Sequence, residues 1–197
     1  MLTISGGQWR GRKLKALERP ELRPTSSRVK ASIFSILESL VWKRSGQPDF
    51  SSWLCLDLFA GVGGLGLEIL SRGAAHCVFV ERARAHAKIL EQNIASLGCE
   101  NRTTVLVSDV DKGAWESEGP FDLVMLDPPY ADSNLPALLH RIANGPALKP
   151  EGIVLFEHDP NLAPQTVEGL ELHSHRTLGP RSEEHTSELQ SRETISY

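Results

Sequence analysis

Blocks of apolar and polar residues alternate along the middle of the chain. Continuous apolar runs predict five buried strands, at 53–59, 76–81, 103–107, 121–126 and 152–157. A sixth, more polar strand is predicted at 169–176. Apolar residues at helical spacing predict intervening helices at 64–71, 83–98 and 135–143. This alternation predicts an α/β fold with a mostly parallel central sheet flanked by helices.

Residues 1–44 follow a different pattern. Glycine pairs between short polar and apolar stretches predict a β-hairpin-like arm near the N-terminus. A helix follows, capped by Ser26 or Ser27, whose apolar stripe should dock on the body. We therefore divide the chain into an arm with a docking helix, 1–44, and a main domain, 45–180.

Composition narrows the class of protein. A chain of 197 residues with 40% hydrophobic side chains is long enough for one domain with a sizeable core. Neither a membrane span nor a signal peptide is predicted. Three cysteines without C-x-x-C spacing indicate reduced thiols rather than disulfides or a metal site. We expect a cytoplasmic monomer.

Charge is distributed unevenly between the arm and the body. The net charge is −4, yet residues 1–44 hold ten Lys or Arg and three Glu. A basic arm on an acidic body indicates either a polyanionic partner, such as nucleic acid, or a solvated basic surface.

The last residues, 181–197, lack apolar periodicity. Their first part, RSEEHTSELQS, resembles the translation of a common high-throughput sequencing adapter. We predict that 181–197 is a non-native tail and that the main domain is truncated at its C-terminus. The alternative is a genuine disordered polar tail.

A glycine-rich motif follows the first buried strand and runs from Asp57 to Gly66. Glycines in such a turn let the backbone approach a ligand closely. Because an acid precedes the glycines and no basic residue follows them, a positively charged ligand fits better than a pyrophosphate. S-adenosylmethionine has that character.

Two more acids follow the next two strands. Glu81 is positioned to accept hydrogen bonds from ribose hydroxyls, although a dehydrogenase would use the same acid. Asp109 either accepts a bond from an adenine amino group or caps a turn.

The motif Asp127-Pro128-Pro129-Tyr130 follows the fourth strand. The prolines stiffen the loop and remove two N–H donors, which leaves the Asp127 carboxylate and the Pro128 carbonyl as acceptors. Acceptors on both hydrogens of an exocyclic amine raise the electron density on its nitrogen. Tyr130 offers a flat face for a base to stack on. The motif therefore indicates methylation of a base amino group, with Asp127, Pro128 and Tyr130 as catalytic residues.

Five parts of the chain resemble the bacterial 16S ribosomal RNA guanine 2-amino methyltransferase family: 4–14, the Arg23-Pro24-Thr25 motif with Arg28, 57–68, Glu81 and 127–130. That family belongs to the Rossmann-like, S-adenosylmethionine-dependent superfamily. The resemblance implies that the cofactor is held by Asp57, Phe59, Gly61, Gly63, Glu81, Asp109 and Thr25. It also implies a seven-stranded sheet whose last strand pairs antiparallel between the fifth and sixth. Because the adapter-like tail begins where that strand should be, we expect the last strand to be missing.

RNA contact is predicted for six cations, namely Arg10, Arg12, Lys13, Lys15, Arg23 and Arg28. Arg28 could instead help to close the cofactor site. Trp9 could stack on a base or anchor the arm on the body. The expected partner is 16S ribosomal RNA within an assembling small subunit.

Two alternatives remain open at this point. An adenine amino methyltransferase acting on DNA or RNA would use the same Asp-Pro-Pro-Tyr motif. A non-catalytic RNA-binding assembly factor would share the basic arm and would not need Asp127.

Overall fold

The computed structural model describes residues 2–17, 27–128, 134–158, 167–177 and 185–191. In these ranges the strands are β1 Leu54–Leu58, β2 His76–Val80, β3 Thr103–Leu106, β4 Phe121–Leu126, β5 Leu148–His158, β6 Leu170–Thr177 and β7 His185–Ser191. The α-helices of the same ranges are α1 Ser27–Ser45, α2 Gly66–Ser71, α3 Arg84–Leu97 and α4 Leu135–Asn144.

The described strands form one sheet in the order β3-β2-β1-β4-β5-β7-β6. The first five strands in this order are parallel to one another, and β7 is antiparallel to both β5 and β6. The predicted α/β fold with a mostly parallel central sheet is therefore confirmed.

Strand β1 shows why continuous apolar runs predicted the buried strands. Cys55 belongs to the apolar core on one face of the sheet, whereas Leu56 and Leu58 belong to the core on the other. Successive side chains of a strand point to opposite faces, so a strand covered on both sides needs apolar residues throughout.

The expectation of a missing last strand is wrong. Strand β7 lies between β5 and β6 and is antiparallel to both, with Val154 and Leu172 each opposite Leu189. Its sequence, HTSELQS, carries little apolar signal, yet its backbone pairs with a neighbouring strand on both edges. The non-native origin of 181–197 stays a prediction.

The N-terminal arm is a short hairpin packed on the body. Thr3 and Lys13 form an antiparallel bridge, and the Leu14 N–H donates to the Leu2 carbonyl at 2.9 Å. Leu2, Ile4 and Leu14 are buried in the same core cluster as α1. The arm is thus built into one face of the domain.

Helix α1 docks through Ile33, Phe34, Leu37 and Val41, all of which are buried. In the part of the chain that the structure describes, no helix combines the length and the apolar character needed to cross a membrane.

Candidate active site

Acidic residues gather where three neighbouring parallel strands end. Asp57 is the penultimate residue of β1 and lies opposite Phe79 of β2 and Met125 of β4. Glu81 directly follows β2, and Asp127 directly follows β4. Because the carboxyl ends of parallel strands share one edge of the sheet, these predicted site residues are brought to that edge together.

The glycine loop, residues 59–65, connects β1 to α2. Phe59 has φ +60°, a conformation rarely adopted by residues other than glycine and often found at functional sites. Gly61 has φ +56°, and a Cβ added there would meet nothing nearer than the Phe59 carbonyl oxygen at 3.9 Å. Open space therefore lies in front of Gly61, where a ligand could approach the backbone.

Gly66, the first residue of α2, is required for a different reason. A Cβ added there would lie 2.2 Å from the Phe79 ring. This glycine allows α2 to pack closely on β2, and its N–H donates to Asp57 Oδ2 at 2.8 Å.

Asp57 is 2% exposed. Burial raises the pKa of this carboxyl, the hydrogen bond from Gly66 lowers it, and the negative charges of Asp127 and Glu81 raise it, so that together they bring it to about 7. A positive charge placed nearby would favour the ionised form of Asp57.

Each carboxylate oxygen of Glu81 accepts a hydrogen bond from a backbone N–H. Its Oε2 accepts from the Gly61 N–H at 2.8 Å, and its Oε1 accepts from the Ala83 N–H at 2.7 Å. Each carboxylate oxygen has a further lone pair, so Glu81 can still accept hydrogen bonds from ligand hydroxyls.

Asp109 caps a turn. Its Oδ1 accepts from the Asp111 N–H at 3.1 Å at the start of the short 3₁₀ helix Val110–Lys112, and its Oδ2 lies 3.8 Å from Arg82 Nη1. The turn-capping alternative is therefore realised. Because the side chain is 40% exposed, the carboxylate is also open to a ligand.

The Asp-Pro-Pro-Tyr motif is described only in its first half. Asp127 is half-buried and Pro128 is buried. Pro129 and Tyr130 lie outside the described residues, as do Arg23 and Thr25. Arg28 lies in the first turn of α1, and its side chain is outside the description.

The arm carries the other predicted RNA contacts: Arg10, Arg12, Lys13 and Lys15, all exposed. Arg12 Nη2 donates to the Ser96 carbonyl at 2.8 Å, and Lys15 Nζ donates to Gln92 Oε1 at 3.0 Å. These cations therefore lie on the surface of the arm, and two of them reach α3.

Trp9 anchors the arm. Its half-buried ring packs against the core, with the Arg102 guanidinium 5.7 Å from the ring centroid. Of the two alternatives for Trp9, the structure supports the anchor.

The sequence analysis did not single out the buried polar residues on the described helices, of which Glu68 and Asn93 matter most for the site. Glu68 of α2 is 0% exposed, and Asn93 of α3 is 1% exposed. The available signal was a polar residue in a stretch predicted to face the core, because such a residue needs hydrogen-bond partners there. Both side chains bind the N-terminal arm.

Known proteins share this architecture. A family model described as "Conserved hypothetical protein 95" matches residues 2–184. The Bacillus subtilis protein "Putative rRNA methyltransferase YlbH" is 37% identical over 183 residues, covering 91% of this chain and 94% of the relative. The Escherichia coli K12 protein "Ribosomal RNA small subunit methyltransferase D" is 33% identical over 179 residues, covering 90% and 85%. A solved structure, "Putative methyltransferase yhhF from Escherichia coli", aligns with a TM-score of 0.80 at 29% identity, covering 97% of this chain and 98% of its own.

Proposed function

Because this chain belongs to the family described as conserved hypothetical protein 95, we propose that it transfers a methyl group from S-adenosylmethionine to the exocyclic 2-amino group of a guanine in 16S ribosomal RNA. The observation that carries the proposal is the meeting of Asp57, Glu81 and Asp127-Pro128 at the ends of adjacent strands. The names of the two curated relatives support ribosomal RNA as the substrate class.

The donor set fits S-adenosylmethionine. The buried Asp57, with two acidic neighbours, favours a positively charged ligand. Glu81 has lone pairs for ribose hydroxyls, and the open space in front of Gly61 gives the ligand access to the backbone. When bound, S-adenosylmethionine supplies an electrophilic methyl group on a positively charged sulfur.

The cofactor-binding set of the proposal is Asp57, Phe59, Gly61, Gly63, Glu81, Asp109 and Thr25. Of these, Asp109 has a double role, since it caps the 3₁₀ turn with one oxygen and accepts from the adenine amino group with the other.

The chain's part in the reaction is to hold the base amine. Asp127 and the Pro128 carbonyl accept the two amine hydrogens, so the nitrogen lone pair is withdrawn less into the ring. Tyr130 stacks on the guanine after it has left its helix. Once the nitrogen has been alkylated it loses a proton readily, and this proton passes to Asp127 or to water. Catalysis rests on positioning and on acceptors aimed at the amine.

RNA is held by the exposed cations of the arm, Arg10, Arg12, Lys13 and Lys15. The proposal also includes Arg23 and Arg28, which follow the arm in the sequence. Phosphate contacts of this kind orient RNA without reading its sequence. We extend the proposal to a monomer in the cytoplasm that acts on 16S ribosomal RNA in an assembling small subunit. The shape of that particle would supply the specificity that phosphate contacts lack.

The test uses tritiated S-adenosylmethionine with three substrates: unmodified small-subunit particles, bare 16S RNA and duplex DNA. The labelled nucleoside is then identified after digestion. We expect label in 2-methylguanosine, with particles as the best substrate. Label in an adenine nucleoside would overturn the guanine assignment. Cofactor binding without transfer to any substrate would favour the assembly factor.

A further inference from the structure

Asn93 is a buried amide on the core-facing side of α3. It is 1% exposed and lies between the buried Leu90 and Ile94. A buried amide without hydrogen-bond partners would destabilise the fold, so its partners explain why it is tolerated there.

The Asn93 amide binds two segments that are far apart in sequence. Its Oδ1 accepts from the Lys15 N–H at 2.8 Å, and its Nδ2 donates to the Lys15 carbonyl at 3.0 Å. The same Nδ2 donates to the Val62 carbonyl at 3.0 Å. One side chain thus pairs with the arm, as a neighbouring strand would, and also holds the glycine loop.

The Val62 carbonyl belongs to the peptide that joins Val62 to Gly63. Its other end is also fixed, because the Gly63 N–H donates to the Ala60 carbonyl at 2.8 Å. Gly61 and Gly63, on either side of Val62, have φ +56° and +90°. Glycines rotate more freely than other residues, and the Gly63–Ala60 bond lies within the loop itself, so this peptide would rotate more easily without the bond from Asn93.

We propose that Asn93 is a positioning residue that holds the glycine loop in its cofactor-binding conformation and couples it to the RNA-binding arm. The coupling rests on the proposed function. Thermodynamic linkage makes it reciprocal: RNA that orders the arm at Lys15 strengthens cofactor binding, and cofactor on the loop strengthens RNA binding by the same factor.

Ser71 of α2 offers a matched control. It is 3% exposed, its Oγ donates to the Gly6 carbonyl at 2.6 Å, and it accepts from the Trp9 N–H at 2.9 Å. Ser71→Ala therefore also removes buried hydrogen bonds to the arm, but at the opposite end of α2 from the glycine loop.

The experiment compares Asn93→Ala with Ser71→Ala in the full-length chain. Hydrogen exchange of the Gly63 amide reports the loop in the protein alone. Calorimetric titration with S-adenosylhomocysteine, with and without 16S RNA, reports cofactor affinity and its coupling to RNA. All measurements are made well below the melting temperature of each variant. If Asn93→Ala does not fold, Asn93→Ser, whose hydroxyl cannot reach both partners, takes its place.

We expect Asn93→Ala to accelerate exchange at Gly63, to weaken S-adenosylhomocysteine binding about tenfold and to abolish the effect of RNA on that binding. Ser71→Ala should keep all three at wild-type values despite a lower melting temperature. Equal changes in both variants, or unchanged exchange at Gly63 in Asn93→Ala, would overturn the inference. If the wild-type protein bound no cofactor, the proposed function would fail, and the exchange comparison would still decide whether Asn93 holds the loop.

Discussion

Two buried carboxylates flank the glycine loop, and their surroundings differ. Glu68 of α2 accepts from the Ser5 N–H at 2.8 Å, the Ser5 hydroxyl at 2.7 Å and the Gly6 N–H at 2.8 Å, and pairs with Arg72 at 3.0 Å. Asp57 of β1 accepts from the Gly66 N–H, and the charges that act on it are those of other acids.

The difference separates a structural carboxylate from one suited to a ligand. The acceptor sites of Glu68 are occupied by the chain's own arm and by a cation, so burial of its charge is compensated within the fold. The negative charge of Asp57 is destabilised by the neighbouring charges of Asp127 and Glu81, which repel it. A buried acid of the second kind is stabilised by a cationic ligand, which is why perturbed pKa values accumulate at functional sites.

The largest effect should follow removal of the structural carboxylate. Glu68→Ala leaves the buried Lys30 ammonium, 3.9 Å away, without this acid and leaves Arg72 paired with Glu38 alone. It also removes the acceptor of the Ser5 and Gly6 donors of the arm. We expect the free energy of unfolding in urea to fall by about 3 to 5 kcal/mol.

The control is Glu38→Ala. Glu38 also pairs with Arg72, but its side chain is 38% exposed, so the loss should stay below about 1 kcal/mol. Equal losses in the two variants would show that Glu68 does not clamp the arm.

At the ligand site, the acid that faces the substrate in our proposal should matter for catalysis and little for stability. Asp127→Asn keeps the shape of the side chain but replaces one acceptor with an NH₂ donor, which would face the donors of the base amine. We expect kcat for methyl transfer to fall about 10²- to 10³-fold, with little change in S-adenosylhomocysteine affinity.

Asp49→Asn serves as the control for Asp127, because Asp49 is an exposed acid before β1, at the other end of the strands. It should retain full activity. A kcat for Asp127→Asn within a few-fold of wild type would remove Asp127 from the catalytic residues.

The grouping of the acids at one edge of the sheet was largely predictable from sequence, and the structural carboxylate was not. Asp57 lies near the end of a predicted strand, Glu81 and Asp127 lie at or directly after the ends of two others, and parallel strands bring such positions to one edge. The position of each acid relative to its predicted strand was enough to group them.

By contrast, the partners of Glu68 and Asn93 lie at Ser5, Gly6 and Lys15, far away in sequence. No periodic pattern indicates which distant backbone group a buried polar residue binds. The last strand was missed for another reason: the resemblance implied it, but it was expected to be missing because 181–197 resembles a non-native tail, and His185–Ser191 nevertheless pairs with β5 and β6.

A smaller effect of the uncompensated charge of Asp57 should appear in the pH dependence of the free energy of unfolding. The folded-state pKa of Asp57 is raised to about 7, whereas an unfolded Asp titrates near 3.9, so the folded protein binds more protons between these values. Its free energy of unfolding should therefore fall as the pH rises from about 4 to about 7. From pH 5 to pH 8 this single group should remove about 2 to 3 kcal/mol.

Asp57→Asn keeps an acceptor for the Gly66 N–H and cannot ionise. We expect urea unfolding of this variant to lose that part of the pH dependence, while Glu91→Gln, an exposed acid on α3, should follow wild type. A parallel pH dependence for wild type and Asp57→Asn would mean that the Asp57 charge is compensated as well as that of Glu68.

The smallest expected effect concerns what the clamped arm presents to RNA. Because Glu68 and Asn93 hold the arm on the body, its exposed Lys13 is presented at a fixed place, and a phosphate contact there should be worth about one released counterion. Lys13→Gln should therefore reduce the slope of log affinity against log salt by about 0.7 to 1, measured with 16S RNA fragments. Lys43→Gln, an exposed lysine in the last turn of α1 and outside the arm, should leave the slope unchanged. If both variants shifted the slope equally, RNA would be responding to net charge, and the clamped arm would have no special part in binding.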